Sequence, residues 1–451
     1  VTFYRSAFLL LPLAFTPAPN ILAQAANAVA QAIPPAPAPQ VQTLSTNTAA
    51  LSATSADAQP LTLPDAIALA QGRNPRLQEA AATTLGAEAA ITTARAYTNP
   101  SVEVFQGKQS SRPIATPGVP GLLQHYAAYQ PIEISSERRA RKRAATLSAE
   151  ASRFGQQGVA LSVVADTKHA FYETLRRREE IAHATENLHL VEDLHRRVTV
   201  EVNVGEKGRL ELTRATAELA RAQFAVSSAR LEYAQAIAQL RAAIAAPADA
   251  RLDPQGSLEP RMTLAPLPDM RATVLAAHPS LAQSQKDTEA AQATVDRQRA
   301  LRIPQPTAFA EFENQPDLRF WRAGITVPLP IFDRKQGPIA EAKAAVSRSS
   351  AVLEQRRLQV TAALERAYEQ YQLADEQTTS LEAGPMRAAE SAVDAAQAAY
   401  RFGERGIVEV LDAQRVLQSV RGDLLDAQFA RQSALVDLEE LGATTPTGAR
   451  P

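Results

Sequence analysis

Two carboxylates three residues apart, Glu409 and Asp412, open a long helical stretch directly behind the turn Gly403-Glu404-Arg405-Gly406. Acidic side chains in a first helical turn suit the helix dipole, and where they line a narrow aqueous opening they attract cations and impede anions. Covalent chemistry finds no equipment. The chain has no Gly-x-Ser-x-Gly, no P-loop, no His-Glu-x-x-His and no cysteine, so an enzyme is not expected. His183, His189 and His195 follow one another at spacings of six, which rotates each away from the last; ligands sharing a helix face need spacings of three or four. His189 with Glu192 or Asp193 meets that spacing, yet such pairs are routine on solvated helix faces. Neither a metal site nor a cofactor is expected.

The elements that must position these groups occur twice. From Val410 the heptad positions 413, 417, 420, 424, 427, 431, 434, 438 and 441 hold Ala, Leu, Val, Leu, Ala, Arg, Ala, Leu and Leu, with only Arg431 breaking the apolar seam. A strict seven-residue repeat calls for left-handed coiled-coil packing. The turn Gly205-Glu206-Lys207-Gly208, 198 positions upstream, leads into the same pattern from Leu212 to Ala243. Further upstream, Leu63-Pro64-Asp65 and Asn74-Pro75 match Leu267-Pro268-Asp269 and His278-Pro279 at an offset of 204. A period near two hundred residues means a doubled half-molecule rather than a short solenoid repeat. The glycine pairs Gly205/Gly208 and Gly403/Gly406 sit where the chain reverses between helices and where positive φ is in demand.

Composition sets the class. With 451 residues, 45% hydrophobic and 21% charged, and a net charge of -1, the chain suits a large ordered structure and offers no case for nucleic acid. Arg5, the apolar run from Ala7 to Phe15 and the A-x-A sites ending at Ala25 and Ala28 read as a secretory signal peptide over residues 1–28. Residues 29–60 form a Pro/Ala-rich linker. The first repeat covers 61–246, a connection 247–266, the second repeat 267–442, and a flexible tail 443–451. No other run reaches ~18 consecutive apolar residues, so any membrane passage must be made by strands closing into a barrel.

Four segments read as strands: 101–109, 124–135, 307–313 and 319–329. In the last, Trp321, Ala323, Ile325, Val327 and Leu329 alternate with Arg322, Gly324 and Thr326, the pattern of a transmembrane barrel strand. Long helices follow each pair, from about 136 to 200 and from 337 to 401, the second interrupted at Gly384-Pro385. At ~1.5 Å per residue, such a helix reaches nearly 100 Å.

The duplicated Gly-Glu-[Lys/Arg]-Gly-x-x-Glu turn and the duplicated Leu-Pro-Asp…Asn/His-Pro openings resemble the TolC-like outer-membrane efflux channels over residues 61–441. The segment from Gly324 to Gly337 (GITVPLPIFDRKQG) looks like the CzcC branch, which serves heavy-metal efflux, and the absence of a lipoprotein Cys is compatible with that branch. The resemblance implies a mainly α fold with a membrane β-barrel. Three protomers give four strands each to a 12-stranded barrel, and their long-helix hairpins form a trimeric α-helical tunnel. Its partners would be a periplasmic adaptor and an inner-membrane RND pump, with outer-membrane lipid around the barrel.

By motif, the resemblance places Tyr400, Arg405 and Glu211 at the periplasmic gate, with Leu210 where the family can carry Thr. Glu409 and Asp412 fall at the acidic pore-ring positions, and Gly205, Gly208, Gly403 and Gly406 at the adaptor-docking tips. The implied function is the exit duct of a tripartite efflux system for divalent heavy-metal cations. A drug or solvent duct of the same fold, and a periplasmic adaptor or structural coiled-coil protein, are the alternatives.

Overall fold

Proline punctuation decides where the helices begin and stop. In the computed structural model, which describes residues 59–109, 121–316 and 318–444, the first half runs β1 (Gln59–Leu61), α1 (Leu63–Arg73), α2 (Pro75–Arg95), β2 (Ser101–Gln109), β3 (Gly121–Pro131), α3 (Glu137–Asn203) and α4 (Arg209–Ala243). The second runs β4 (Leu252–Pro254), α5 (Leu267–Ala277), α6 (Pro279–Ala300), β5 (Thr307–Asn314), β6 (Arg319–Thr326), α7 (Gln336–Ala383), α8 (Pro385–Arg401) and α9 (Ile407–Glu440). The expected leader, most of the linker, the loop between β2 and β3, and the tail from residue 445 lie outside the described residues.

Thr62 caps α1 in a reciprocal box with Asp65, its hydroxyl accepting the Asp65 N–H at 3.4 Å. Asn74 caps α2 by accepting the Arg76 N–H at 3.0 Å. His278 plays the same part for α6, its Nδ1 accepting the Ser280 N–H at 3.2 Å. Burial, then the charge of Arg356, pushes the His278 pKa down, which keeps the ring neutral and able to accept. The Asn/His-Pro signature is therefore a helix-capping device. Gly384, at φ -137° and ψ -66°, separates α7 from α8 where Pro385 has no N–H to continue the ladder.

The strands form one antiparallel sheet in the order β2-β3-β5-β6. Residues paired across it share a face. Val104, Tyr126, Phe312 and Trp321 are in register, as are Val102, Ala128, Ala310 and Ala323, which makes one face apolar. Trp321 is 76% exposed there. The other face carries Glu103, Glu311 and Arg322 in one row and His125 with Glu313 in the next. On it, the Tyr129 hydroxyl donates to Glu311 at 3.1 Å, Arg322 pairs with Glu311, and Phe105 stacks on His125 at 4.3 Å. Among the described residues, both outer strands, β2 and β6, keep an unpaired edge.

Several strand limits differ from the sequence reading. β6 ends at Thr326 rather than Leu329, because Pro328 and Pro330 have no N–H to offer a ladder. β3 starts at Gly121 and ends at Pro131, so 132–135 lie beyond it. A parallel pair was also not expected: Gln59, Pro60 and Leu61 lie beside Leu252, Asp253 and Pro254, so the end of the presumed linker joins the connection between repeats.

Each half has its own core. Ala66, Ala70, Phe171, Leu175 and Leu240 pack together in the first, and Met270, Val274, Leu364, Tyr371 and Leu438 in the second. No seam position is exposed along α4 or α9. Arg431, the seam's apparent error, is 1% exposed. Its guanidinium donates to the Leu258 and Glu259 carbonyls at 3.2 and 2.7 Å and meets Asp375 at 3.1 Å. Gln432 adds bonds to the Leu258 and Pro260 carbonyls at 3.0 and 2.7 Å. The seam is broken to clamp the connection between repeats.

Candidate functional site

Both Gly-x-x-Gly turns close the same way. The Glu206 N–H donates to the Glu201 carbonyl at 2.9 Å and the Gly205 N–H to that of Val202 at 3.2 Å; Glu404 and Gly403 repeat this onto Ala399 and Tyr400 at 2.9 and 3.1 Å. This is a Schellman end, which needs a left-handed residue just past the helix. Gly205 at φ +85° and Gly403 at φ +73° supply it. Gly208 and Gly406 have extended backbone and serve as N-caps of α4 and α9. Only the first glycine of each pair is conformationally required.

Under the turns, Leu194 and Val198 of α3, Ala215 of α4, Tyr400 of α8, and Ile407, Val410 and Leu411 of α9 form one apolar cluster. Burying Ile407, Val410 and Leu411 turns Glu409 and Asp412 outward, and both are exposed. Asp412 pairs with Arg415 at 2.7 Å, and Arg415 also reaches Glu218 at 3.4 Å. Glu409 has no ion pair among the described residues; its Oε2 folds back to within 3.3 Å of where a Cβ on Gly406 would lie.

Tyr400 is buried, and its hydroxyl donates to Glu201 Oε2 at 2.7 Å, with the Lys207 ammonium 5.7 Å from the ring centroid. Burial, the Glu201 bond and then the nearby charges of Glu201 and Glu211 push the phenol's pKa well up, so it stays a donor. Glu211 directs a buried, unpartnered Oε2 into this region. Arg405 is exposed and makes no ion pair among the described residues. Tyr400 and Glu211 are thus neighbours, but the hydrogen bond goes to Glu201, which sequence reasoning missed. A signal existed: Glu201 is an acid in the last turn of α3, the end where the dipole disfavours one.

The histidines stay apart. Among the described residues, the His189 ring meets only Glu192, at 3.5 Å, and the His195 ring only Thr216, at 3.2 Å. His183 lines a cleft of about 480 Å³ between α3, α4 and α9 with Glu180, Asn187, Glu218, Arg221 and Gln414. Burial and Arg421 push its pKa down. Among the described residues no three His, Asp or Glu side chains gather as a metal site.

The chain combines two helical halves with a four-stranded sheet that has one apolar face. The model of one family, the outer membrane efflux protein, matches residues 66–246 and 271–443. The chain belongs to the outer membrane efflux protein family.

It is 27% identical over 375 residues to the cobalt-zinc-cadmium resistance protein CzcC of Cupriavidus metallidurans, spanning 81% of this chain and 85% of the relative. The crystal structure of CusC superposes with a TM-score of 0.73 at 19% identity, covering 84% of this chain and 91% of that one. The outer membrane protein VceC of Vibrio cholerae gives 0.73 at 18% identity, covering 84% and 96%. This efflux channel is therefore an outer-membrane protein and not an enzyme, mainly helical with its sheet in the barrel. The apolar sheet face is the one suited to lipid, and the polar face the one suited to an aqueous lumen.

Proposed function

We propose that this channel is the exit duct of a tripartite efflux system that passes divalent heavy-metal cations, with the turn end of its helices as the periplasmic entrance. The observation that carries the reading is the outward pair Glu409 and Asp412 on a buried apolar footing at that end. Three copies, one per protomer of a homotrimer, would ring the entrance with carboxylates and favour cations over anions. Oligomerisation has its own physical support, while the number three comes from the family resemblance. A four-stranded sheet with a lipid face and two unpaired edges cannot span a membrane alone, and joining β6 of one copy to β2 of the next removes every edge.

Tyr400, Arg405 and Glu211 serve as the gate. Exposed Arg405 is free to link neighbouring copies, while the buried Glu211 oxygen stays within one copy, where the Tyr400–Glu201 bond ties α8 to α3. The Gly205/Gly208 and Gly403/Gly406 tips present short turns on which an adaptor's helical hairpin would dock, and an inner-membrane RND pump supplies the energy. Similarity to a cobalt-zinc-cadmium resistance protein over 81% of the chain supports the metal cargo.

The test is growth of cells lacking this chain on graded zinc, cobalt and cadmium, and on organic toxicants. Re-expression is expected to restore metal tolerance. Restored tolerance to organic compounds alone would replace the cargo with drugs or solvents.

A further inference from the structure

The segment from Val327 to Lys335 follows the last strand and precedes α7, outside both elements. It reads Val-Pro-Leu-Pro-Ile-Phe-Asp-Arg-Lys, and its large apolar side chains face outward: Leu329 is 72%, Ile331 62% and Phe332 94% exposed. The Ile331 N–H donates to the Leu329 carbonyl at 2.9 Å, a three-residue turn that ends the extended run.

The first half holds the same device 197 positions earlier. There the Ile134 N–H donates to the Ile132 carbonyl at 3.0 Å, and both isoleucines are exposed, at 38% and 60%. Each half thus places two large aliphatics on a tight turn where a sheet strand hands over to a long helix. A lone exposed leucine is ordinary; the same pair at both equivalent junctions is a patch with a purpose.

Position says what covers it. The sheet ends linked to helices all lie on one side, where Pro131, Thr307 and Thr326 are in register. Ile132 carries the ladder one step further, its N–H donating to the Pro306 carbonyl at 2.7 Å. By alternation from Tyr126 and Ala128 it falls on the lipid face, as Val327 does from Trp321, Ala323 and Ile325. The exposed aliphatics continue the lipid-facing surface towards the periplasm. β5 and β6 have eight residues each, short of the ~9–11 that span a bilayer, so the lipid contact must extend beyond the strands.

Charge continues the pattern. Arg334 after the second turn, and Arg139, Lys142 and Arg143 after the first, are exposed and make no ion pair among the described residues. The nearest acids are engaged: Asp333 accepts from the Lys335 N–H at 2.8 Å and its ammonium at 3.0 Å, and Glu133 and Glu137 are held by Arg141.

We propose that the two junction turns form an interfacial anchor, in which Ile132, Ile134, Leu329, Ile331 and Phe332 enter the periplasmic leaflet of the outer membrane and the free cations behind them bind phospholipid phosphates. Apolar side chains backed by Lys and Arg are the composition that seats at a membrane interface, and aromatic rings settle at headgroup depth. The turns hold the barrel at a fixed height, with the helices clear of the bilayer.

Phe332→Trp in a Trp321→Phe background places one tryptophan at the anchor. The variant is reconstituted into phosphatidylcholine vesicles containing 30% phosphatidylglycerol, with lipids brominated near the headgroup or near the chain end. The expected result is quenching several-fold stronger from the shallow bromines than from the deep ones. Leu329→Trp in the same background repeats the reading should the first variant not assemble. Unquenched, blue-shifted emission would mean that a second copy covers the turn, and unquenched, red-shifted emission that water does; either overturns the anchor. Replacing Arg139, Lys142, Arg143 and Arg334 with Gln is expected to remove the dependence of that quenching on phosphatidylglycerol content, and an unchanged dependence would overturn the headgroup assignment.

Discussion

Asp412 shares its charge with Arg415 at 2.7 Å, and Arg415 is held in turn by Glu218, whereas Glu409 faces solvent without a cation beside it. The two carboxylates therefore contribute unequally to any field at the entrance. Glu409→Ala is expected to lower cation-over-anion permeability more than Asp412→Ala, measured as the shift in reversal potential under a salt gradient; an equal or reversed order would contradict this geometry. Tyr400 carries a different kind of prediction. Its hydrogen bond to a carboxylate is worth about 1.5–3 kcal/mol, and Tyr400→Phe leaves Glu201 without that donor. The expected result is roughly a tenfold or larger gain in the open-to-closed ratio of single channels. The pH dependence has a definite sign. A phenol whose pKa is raised on folding contributes stability that is fully present below the ordinary value of 10.0 and is lost as pH rises through the folded value. The tip should thus show no loosening from Tyr400 below pH 10 and progressive loosening above it, as read from hydrogen exchange of the α8–α9 turn. These pairings were only half legible in the sequence. Spacing exposes neighbours on one helix, such as Asp412 and Arg415, but Tyr400 and Glu201 lie on separate helices of different halves.

Helices and turns were far more legible, because proline and glycine act locally. Asn74-Pro75, His278-Pro279 and Gly384-Pro385 each mark a helix boundary, and the seam positions of α4 and α9 all point away from solvent. What the pattern could not give was the reason for Arg431, since its partners lie on the connection between repeats, some 170 residues away. Removing that cation leaves the Glu259 carbonyl without its donor, the Leu258 carbonyl with Gln432 alone, and a buried cavity of the wrong chemistry around them. Arg431→Leu should destabilise by about 3–5 kcal/mol, seen as a lowered Tm of the helical signal, despite restoring the apolar seam. The duplication offers an opposite case. Gly442 ends α9 at φ +73°, while its counterpart at the end of α4 is Ala245 at φ +50°. An alanine there costs about 1 kcal/mol or more, so Ala245→Gly should raise stability by that amount, and Gly403→Ala should lower it. An unchanged Tm in both would show that these turns are not under backbone control.

As a whole molecule, the chain couples two physical environments through one duplicated plan. Four strands with an apolar and a polar face require closure in lipid, and α3, about 100 Å long, is far longer than a bilayer is thick. Alternation in Trp321–Ile325 made the lipid face readable from sequence. The β1–β4 pair was not, being three residues on each side with no periodicity to read. The most direct test of an efflux duct with an acidic entrance is single-channel recording of the purified protein in planar bilayers, wild type beside Glu409→Ala/Asp412→Ala. Cation-selective pores whose preference weakens in the double variant are the predicted result. Anion-selective pores, or no conductance from protein shown to have inserted, would contradict it.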